Sequence, residues 1–337
     1  MKKKTSLKDI ANKFGVSKTS VSFIINGKAE EKKISKELTE KILAYTKEIG
    51  YTPNSIAKSL RTGKSKLLVF MVEDISNTFF SQIARIVENE ALKKGYKIIF
   101  CSNDNDNKKS KELIKLFVER QVDGFLITPS SNIQDTINEL KENNIPVVLF
   151  DRYFKEIDVP YVVLDNYKAS FDATSQLIQN GFKNILFVTL DVNQSQMIDR
   201  LEGYTKAIDQ HKNLNHKILK IKYKNSSIDT CRKSISDFLQ KDQDFDSILF
   251  STNYLAICAI AELQIIRPQL LFELGMITFD DNYFFQIMNP KISSVQQPLE
   301  KMGKELMNIM LSQLSGEAYE SKVIPADFVE RESSIKD

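Results

Sequence analysis

A glycine set between two short helical stretches constrains this chain more than any other feature in it. Ser6-Leu7-Lys8-Asp9-Ile10-Ala11 runs through Phe14 to Gly15-Val16-Ser17, and Ser20-Val21-Ser22-Phe23-Ile24-Ile25-Asn26-Gly27 comes directly after. Leu7, Ile10, Ala11 and Phe14 recur at spacings of three and four, so one stripe of the first helix faces a small core. Ser6 and Asp9 have the pattern of a capping box, with the hydroxyl accepting from first-turn amides and the acid favoured at the positive helix end. Gly15 supplies a turn, Val16 plugs it, and Ser17 is placed to cap a second helix. There Val21, Ile24 and Ile25 point inward. Ser17, Lys18, Thr19, Ser20, Ser22, Phe23 and Asn26 fall on the outer side, where hydroxyls and an ammonium reach phosphates and base edges. Two helices meeting at such a turn form a helix-turn-helix, which presents its second helix to the major groove of DNA. A third helix is expected after Ser35, with Leu38, Ile42, Tyr45 and Ile49 on one side, ending at Gly50.

The charge distribution agrees with that partner. Residues 1–66 hold 16 Lys and Arg against 6 Asp and Glu, a net charge of +10. The whole chain is +3, so residues 67–337 carry −7. A basic head on an acidic body implies a polyanion partner for the head alone. At 337 residues the chain is long enough for two or three cores. Met1-Lys2-Lys3-Lys4 is followed by Lys8, Asp9, Asn12 and Lys13 rather than by an apolar run, so no signal peptide is expected. No later run is long and apolar enough to cross a bilayer, and a cytoplasmic location is expected. Cys101, Cys231 and Cys258 are far apart and set in apolar stretches, as reduced core thiols are.

Beyond Leu67 the pattern alternates between short apolar runs and amphipathic segments. Strands are expected at Leu67–Val72, Lys97–Cys101, Phe125–Thr128 and Val147–Phe150, with helices such as Ile83–Lys93 and Leu113–Val118 between them. A second series lies at Ile185–Thr189, Ile218–Tyr223, Ser247–Phe250 and Met276–Phe279. This alternation predicts parallel sheets flanked by helices, and two series predict two similar lobes. Open parallel sheets bind ligands at the carboxyl ends of their strands. The residues there are polar or aromatic: Asp74, Asn77, Phe79 and Phe80 after the first strand, Asp151-Arg152 after the fourth, then Arg200, Asn253 and Asp280-Asp281. Taken singly, each has a plainer reading as a turn cap, an exposed charge or a core aromatic.

Directly after the three-helix head comes Tyr51-Thr52-Pro53-Asn54-Ser55-Ile56-Ala57-Lys58-Ser59-Leu60. Head and segment together resemble the lactose-repressor (LacI/GalR) family of bacterial transcription regulators, and the resemblance extends over essentially the full length. It implies an N-terminal all-α helix-turn-helix headpiece with a hinge helix, followed by an α/β two-lobed core like that of periplasmic binding proteins. The implied division is 1–50 for the DNA-binding domain, 51–66 for hinge helix and linker, 67–164 plus 296–324 for one lobe, and 165–295 plus 325–337 for the other. Chain crossings between lobes are expected near Leu164, Val295 and Pro325. In the family the hinge helix orders on the operator, pairs with its dimer mate in the minor groove and inserts a leucine. Carried over, the wedge is Leu60, with Ala57 on the groove floor and Asn54 near the helix start. Pro53 suits a helix start, and a leucine wedge unstacks a flexible step and bends the duplex.

The resemblance also gives Arg200, Asn253 and Asp280 the role of holding a small-molecule effector, with Asp151 and Phe79 or Phe80 completing the cleft. Their chemistry suits a sugar or a sugar-like molecule: carboxylates accept from hydroxyl pairs, a guanidinium donates as a rigid fork, and an aromatic face covers apolar sugar surface. The implied protein is a homodimeric, effector-responsive regulator, acting as a repressor on a palindromic double-stranded DNA operator. No heptad tail comes after Ser321, so a dimer is expected rather than a tetramer. Four positions depart from the usual family pattern. Phe23 replaces a common arginine, and it can meet a thymine methyl but cannot donate to guanine. Thr78 stands for a common proline, Tyr254 for an aspartate and Thr278 for a glycine.

Enzyme signatures are missing from the sequence. The eleven glycines nowhere form a GxGxxG, a Walker loop or a GxSxG elbow, so no cofactor is expected. His211 and His216 lie in a polar stretch that reads as a solvated helix end or loop and not as a metal site. Asn103-Asp104-Asn105-Asp106-Asn107 begins like a calcium loop. It has Lys109 and Lys115 where the glycine and the closing acid belong, so it reads as a turn. A sugar-modifying enzyme with an appended DNA-binding head, and a plain sugar-binding protein, are the alternatives. The first lacks a nucleophile or phosphate loop, and the basic head argues against the second.

Overall fold

A computed structural model of the chain describes residues 5–51, 63–222, 228–241 and 244–336. It divides into two compact units, Met1–Ser65 and Lys66–Asp337. In the first, α1 (Leu7–Phe14), α2 (Lys18–Ile25) and α3 (Lys36–Glu48) surround one small core. The Ser6 hydroxyl accepts from the Asp9 amide, and the Asp9 carboxylate accepts in turn from the Ser6 amide at 2.8 Å. Gly15 closes α1 in the left-handed conformation at φ 64°, where a side chain would be strained. Ser17 and Ser35 cap α2 and α3 through the amides of Ser20 and Leu38. Ile10, Ala11, Val21, Ile24, Ala29 and Ile42 form the buried centre. Ile25, expected inside, is only half-buried at its edge, because the last turn of α2 faces the rim of so small a core. Burying each large aliphatic side chain contributes about 1.5–3 kcal/mol, so the caps matter at this size.

The second unit contains two sheets, each of six strands among the described residues. One orders β11 (Lys322–Ile324), β5 (Tyr161–Leu164), β4 (Val147–Phe150), β3 (Gly124–Ile127), β1 (Leu67–Val72) and β2 (Lys97–Ser102), and every pairing in it is parallel. The other orders β12 (Asp327–Val329), β10 (Ser293–Gln296), β9 (Gly275–Phe279), β8 (Ser247–Phe250), β6 (Asn184–Leu190) and β7 (Asn215–Ile221). Only its pairing of β12 with β10 is antiparallel. The central strands are buried on both faces, as a parallel sheet under two helical layers requires. β5 belongs to the first sheet and the next strand, β6, to the second. After β10 the helix Leu299–Ser315 packs on the first sheet's core, and β11 and β12 then join one sheet each.

Most expected strands lie within a residue or two of their observed bounds. The exception is β7, expected at Ile218–Tyr223 and observed at Asn215–Ile221. Its polar start, with Asn215 and His216 exposed, is stabilised by pairing along β6 at the sheet edge, where one face and one ladder stay in solvent. His216 is therefore a strand residue and not part of a loop. Asn103–Asn107 forms the expected turn, with Asp104 and Asn105 at positive φ and Asp106 capping the helix Asn107–Glu119. Cys231 and Cys258 are buried and Cys101 is half-buried, and none of the three is in a disulfide. Burial pushes the thiols of Cys101 and Cys258 up to about 12 and about 11, which keeps them inert. No helix among the described residues is long and apolar enough to cross a membrane.

Candidate functional site

The cleft is built from the carboxyl ends of both sheets. Asp151 comes immediately after β4, and Asp280 immediately after β9. The two stand at equivalent places in the two lobes: the Asp151 amide donates to Val162 of β5, and the Asp280 amide to Val295 of β10. Both hold positive φ, 69° and 67°, a conformation that is uncommon outside glycine and that aspartate tolerates better than most residues. Such a turn aims each carboxylate off the end of its strand and into the cleft, a local strain typical of functional sites.

Arg200 lies between them, nine-tenths or more buried. Its Nε donates to Asn166 Oδ1 at 2.8 Å, an Nη donates to the Ser251 carbonyl at 2.5 Å, and the guanidinium covers the Phe279 ring at 4.0 Å. The helix Ser195–Asp209 that carries it presses against Asn166–Gln179. Gly203 permits this approach, since a Cβ there would meet the Tyr167 carbonyl at 2.2 Å. Burial pulls the guanidinium down from its ordinary value, and Asp280 and Asp151 oppose that. Burial pushes the Asp151 carboxyl up to about 6, against the pull of Arg152 and Arg200 and helped by Asp280 and Glu73. Asp280 is also raised by burial, with Arg200 and the Gln297 amide, which donates at 2.6 Å, holding it back.

Direct hydrogen bonds join the lobes over this centre. Gln194 donates to Asn105 at 2.8 Å, the Tyr153 amide to the Ser195 hydroxyl at 3.1 Å, Asn253 to Asn77 at 3.4 Å and Gln196 to Asp151 at 3.5 Å. Two cavities flank them. The larger, about 640 Å³, is lined by Phe79, Gln82, Asp280 and Gln297 among others; the smaller, about 170 Å³, by Arg152, Tyr153, Gln194 and Asp199 among others.

Asp151, Arg200 and Asp280 thus come together, Asn253 reaches across to the other lobe, and Phe79 lines the larger cavity. Phe79 also stacks on Phe150 at 5.8 Å. Phe80 meets Phe79 edge-on within the first lobe's core and lines neither of these cavities. Asp74 stays exposed and accepts from Ser76. Sequence reasoning misses the role of Arg152, whose Nη donates to Glu73 at 2.5 Å while both are buried or nearly so. It misses Gln194, Gln196 and Gln297 altogether. The arginine adjoining Asp151 is a usable signal, since a cation at a buried strand end needs an anion nearby.

In the head, Lys18 and Thr19 are exposed on the outer side of α2, and Ser22 and Phe23 are half-buried. Lys32 stands 5.6 Å over the Phe23 ring. Asn26 is exposed, but its amide donates to the Ser22 carbonyl at 2.7 Å and closes the helix. The Ser17 and Ser20 hydroxyls lie 3.0 Å apart within the cap. Asn54, Ala57 and Leu60 fall outside the described residues.

Residues 6–54 match the family described as "Bacterial regulatory proteins, lacI family", and residues 65–332 match "Periplasmic binding proteins and sugar binding domain of LacI family". The chain belongs to the LacI family. It is 33% identical to the HTH-type transcriptional regulator RegA of Clostridium saccharobutylicum, over 98% of this chain and 99% of the relative. Its fold is that of the lac repressor dimer solved with operator and the anti-inducer ONPF. That match has a TM-score of 0.84 at 18% identity and covers 99% of this chain and 100% of that one. A LacI family regulator from Enterococcus faecium, solved with bound ribose, has the same core fold at a TM-score of 0.69 and 22% identity, covering 80% and 98%. As a LacI family member the chain is a DNA-binding transcription regulator with a sugar-binding type of core, and not an enzyme.

Proposed function

We propose that the chain is a cytoplasmic repressor that binds a palindromic operator as a homodimer and responds to a sugar held between its core lobes. The working division is the one expected from the sequence: head 1–50, connector 51–66, and two lobes assembled from 67–164 with 296–324 and from 165–295 with 325–337. The observation that carries the reading is the buried Asp151–Arg200–Asp280 group at the junction of the lobes. Carboxylates placed at matching strand ends, with a guanidinium between them, offer acceptors and donors spaced for vicinal hydroxyls. Asn253 and the Phe79 ring complete the lining, and Phe80 supports Phe79 from behind.

A ligand that prefers one closure state biases the placement of the lobes, and with it the pairing of the two connectors on the minor groove. Lys18, Thr19, Ser22 and Phe23 are the side chains proposed to reach the major groove. Ser17, Ser20 and Asn26 fix the ends of α2 and place backbone or hydroxyl groups near phosphates. Asn54, Ala57 and Leu60 act in the minor groove.

Selecting bound fragments from the source genome tests the reading, because it requires recurrent two-fold symmetric sites. On such a site Leu60→Ala is expected to weaken binding by roughly 10- to 100-fold at fixed salt, since the wedge is what offsets the cost of unstacking. Effector affinity should stay unchanged. Equal operator affinity in a gel-shift titration contradicts the wedge. Phe23→Arg is expected to change the preferred base at one position per half-site from thymine to guanine, a discrimination of about 1–3 kcal/mol. Repeating the selection with the variant reads this directly, and an unaltered half-site removes Phe23 from base readout.

A further inference from the structure

The charged groups of the cleft are already matched to one another, which bears on what the cleft will accept. Arg152 is committed to Glu73, and its Nε lies 3.4 Å from Asp151. Arg200 is committed to Asn166, the Ser251 carbonyl and the Phe279 face, between Asp151 and Asp280. Three carboxylates, Glu73, Asp151 and Asp280, therefore face two guanidinium groups, and the local balance is negative. The larger cavity repeats this bias. Of its basic lining, Arg85 pairs with Glu88 at 2.7 Å, and Lys301 shares the wall with Asp280, Glu300 and Asp327; Asp281 is neutralised by a two-pronged bond from Arg331. The wall of the smaller cavity is balanced, with Arg152 and Lys155 set against Glu156 and Asp199.

Apart from nitrogens of the Arg152 guanidinium, which faces Glu73 and Asp151 and is counted in that balance, the buried polar atoms left over are neutral. Thr128 Oγ1, Gln196 Oε1, Ser251 Oγ and Thr252 Oγ1 are buried and have no hydrogen-bond partner among the described residues. They lie at the carboxyl ends of β3 and β8 and in the first turn of the helix Ser195–Asp209. Buried hydroxyl and amide oxygens without partners are costly unless something completes them. The Gln196 oxygen can only accept, and the three hydroxyls can donate or accept; ligand hydroxyls answer both needs, whereas a phosphate or carboxylate oxygen cannot donate to Gln196 and would meet uncompensated negative charge.

We propose that the cleft selects an uncharged polyol, an unphosphorylated and uncarboxylated sugar, and rejects the corresponding phosphate esters and acids. This rests on the sugar reading given above and narrows it. A like-charge mismatch at a desolvated site costs several kcal/mol, so a phosphate ester is expected to bind at least roughly 100-fold more weakly than its parent sugar.

Isothermal titration of the full chain at pH 8 tests this with neutral pentoses and hexoses, D-ribose among them, against phosphate esters such as D-ribose 5-phosphate and D-fructose 1-phosphate. Measurable binding confined to a neutral sugar is the expected result. Tighter binding of an ester overturns the inference and leaves the sugar reading standing, whereas no binding by either class overturns both. Asp151→Asn supplies a second readout, with its folding checked by circular dichroism. Removing one negative charge should narrow the preference for neutral sugar over ester by at least roughly 3-fold. An unaltered ratio means that shape alone selects, and the electrostatic basis fails.

Discussion

Arg200→Met is expected to abolish the response to effector, lowering sugar affinity at least about 100-fold, while leaving operator affinity nearly unchanged. The guanidinium holds Asn166 and the β8 end by hydrogen bonds, and its charge acts on Asp280 and Asp151. Methionine keeps the volume over Phe279 but leaves two buried carboxylates facing each other. Leaving buried charge uncompensated in this way costs about 3–5 kcal/mol. In a core of this size that lowers the melting temperature by on the order of 10 °C. Stability and ligand affinity must therefore be read separately. Calorimetric titration well below the transition gives the affinity, and thermal denaturation gives the stability. Arg200→Lys restores the charge but not the fork, so it should recover part of the melting temperature and none of the response. Wild-type affinity in either folded variant would remove Arg200 from the ligand site.

Asp151→Asn is expected to stabilise the protein at pH 8 by about 1–3 kcal/mol and to do so much less at pH 4–5. The folded carboxyl titrates near 6, against an ordinary 3.8, because burial disfavours its charge. An acid raised in the folded state contributes stability that is fully present below the unfolded value, near 4, and is lost as pH rises through the folded value, near 6. Above that the charge is a net cost of roughly two pKa units, or about 3 kcal/mol, which the amide does not incur. The charged groups facing this carboxyl are Arg152, Arg200, Asp280 and Glu73, and burial outweighs the pull of the two guanidinium groups. Asparagine tolerates the positive φ, so the turn itself should survive. The same change should weaken sugar binding, since the carboxylate is an acceptor for ligand hydroxyls. Denaturation midpoints at pH 8 and pH 4.5 check the stability effect. A variant less stable than wild type at pH 8 would show that the ionised carboxylate holds the fold together.

The parts of the fold legible in the sequence are those fixed by neighbours along the chain. The Ser6–Asp9 box, the Gly15 turn and the Ser17 cap involve residues no more than a few positions apart, and each stands as expected. Continuous apolar runs such as Leu67–Val72 and Val147–Phe150 need no partner to be read as buried strands. By contrast β5, β10, β11 and β12 are three or four residues long and exist through distant pairing, as between Lys322 and Val162. β7 begins earlier than its apolar run suggests for the same reason, since its polar start is a strand only because β6 lies alongside.

The cleft divides along the same line. Asp151 and Asp280 are found by inspecting the first residue beyond each strand. The Arg152–Glu73 pair spans 79 residues of sequence and the Asn253–Asn77 bridge spans 176, so neither leaves a local mark. Gln194 and Gln196 look like ordinary surface amides until the second lobe is placed against them. Phe79 and Phe80 show the limit at single-residue scale: adjacent and alike in sequence, both pack in the first lobe's core, and only Phe79 also lines the larger cavity.

The coupling of DNA binding to sugar occupancy is the centre of this account, and a fluorescence anisotropy titration of a genome-selected duplex, at fixed salt and with bulk competitor DNA, measures it most directly. Binding far tighter than to competitor is expected, with a midpoint that shifts when a neutral sugar is added and stays fixed when its phosphate ester is added. A duplex held no more tightly than competitor, or a midpoint that no sugar moves, would contradict it.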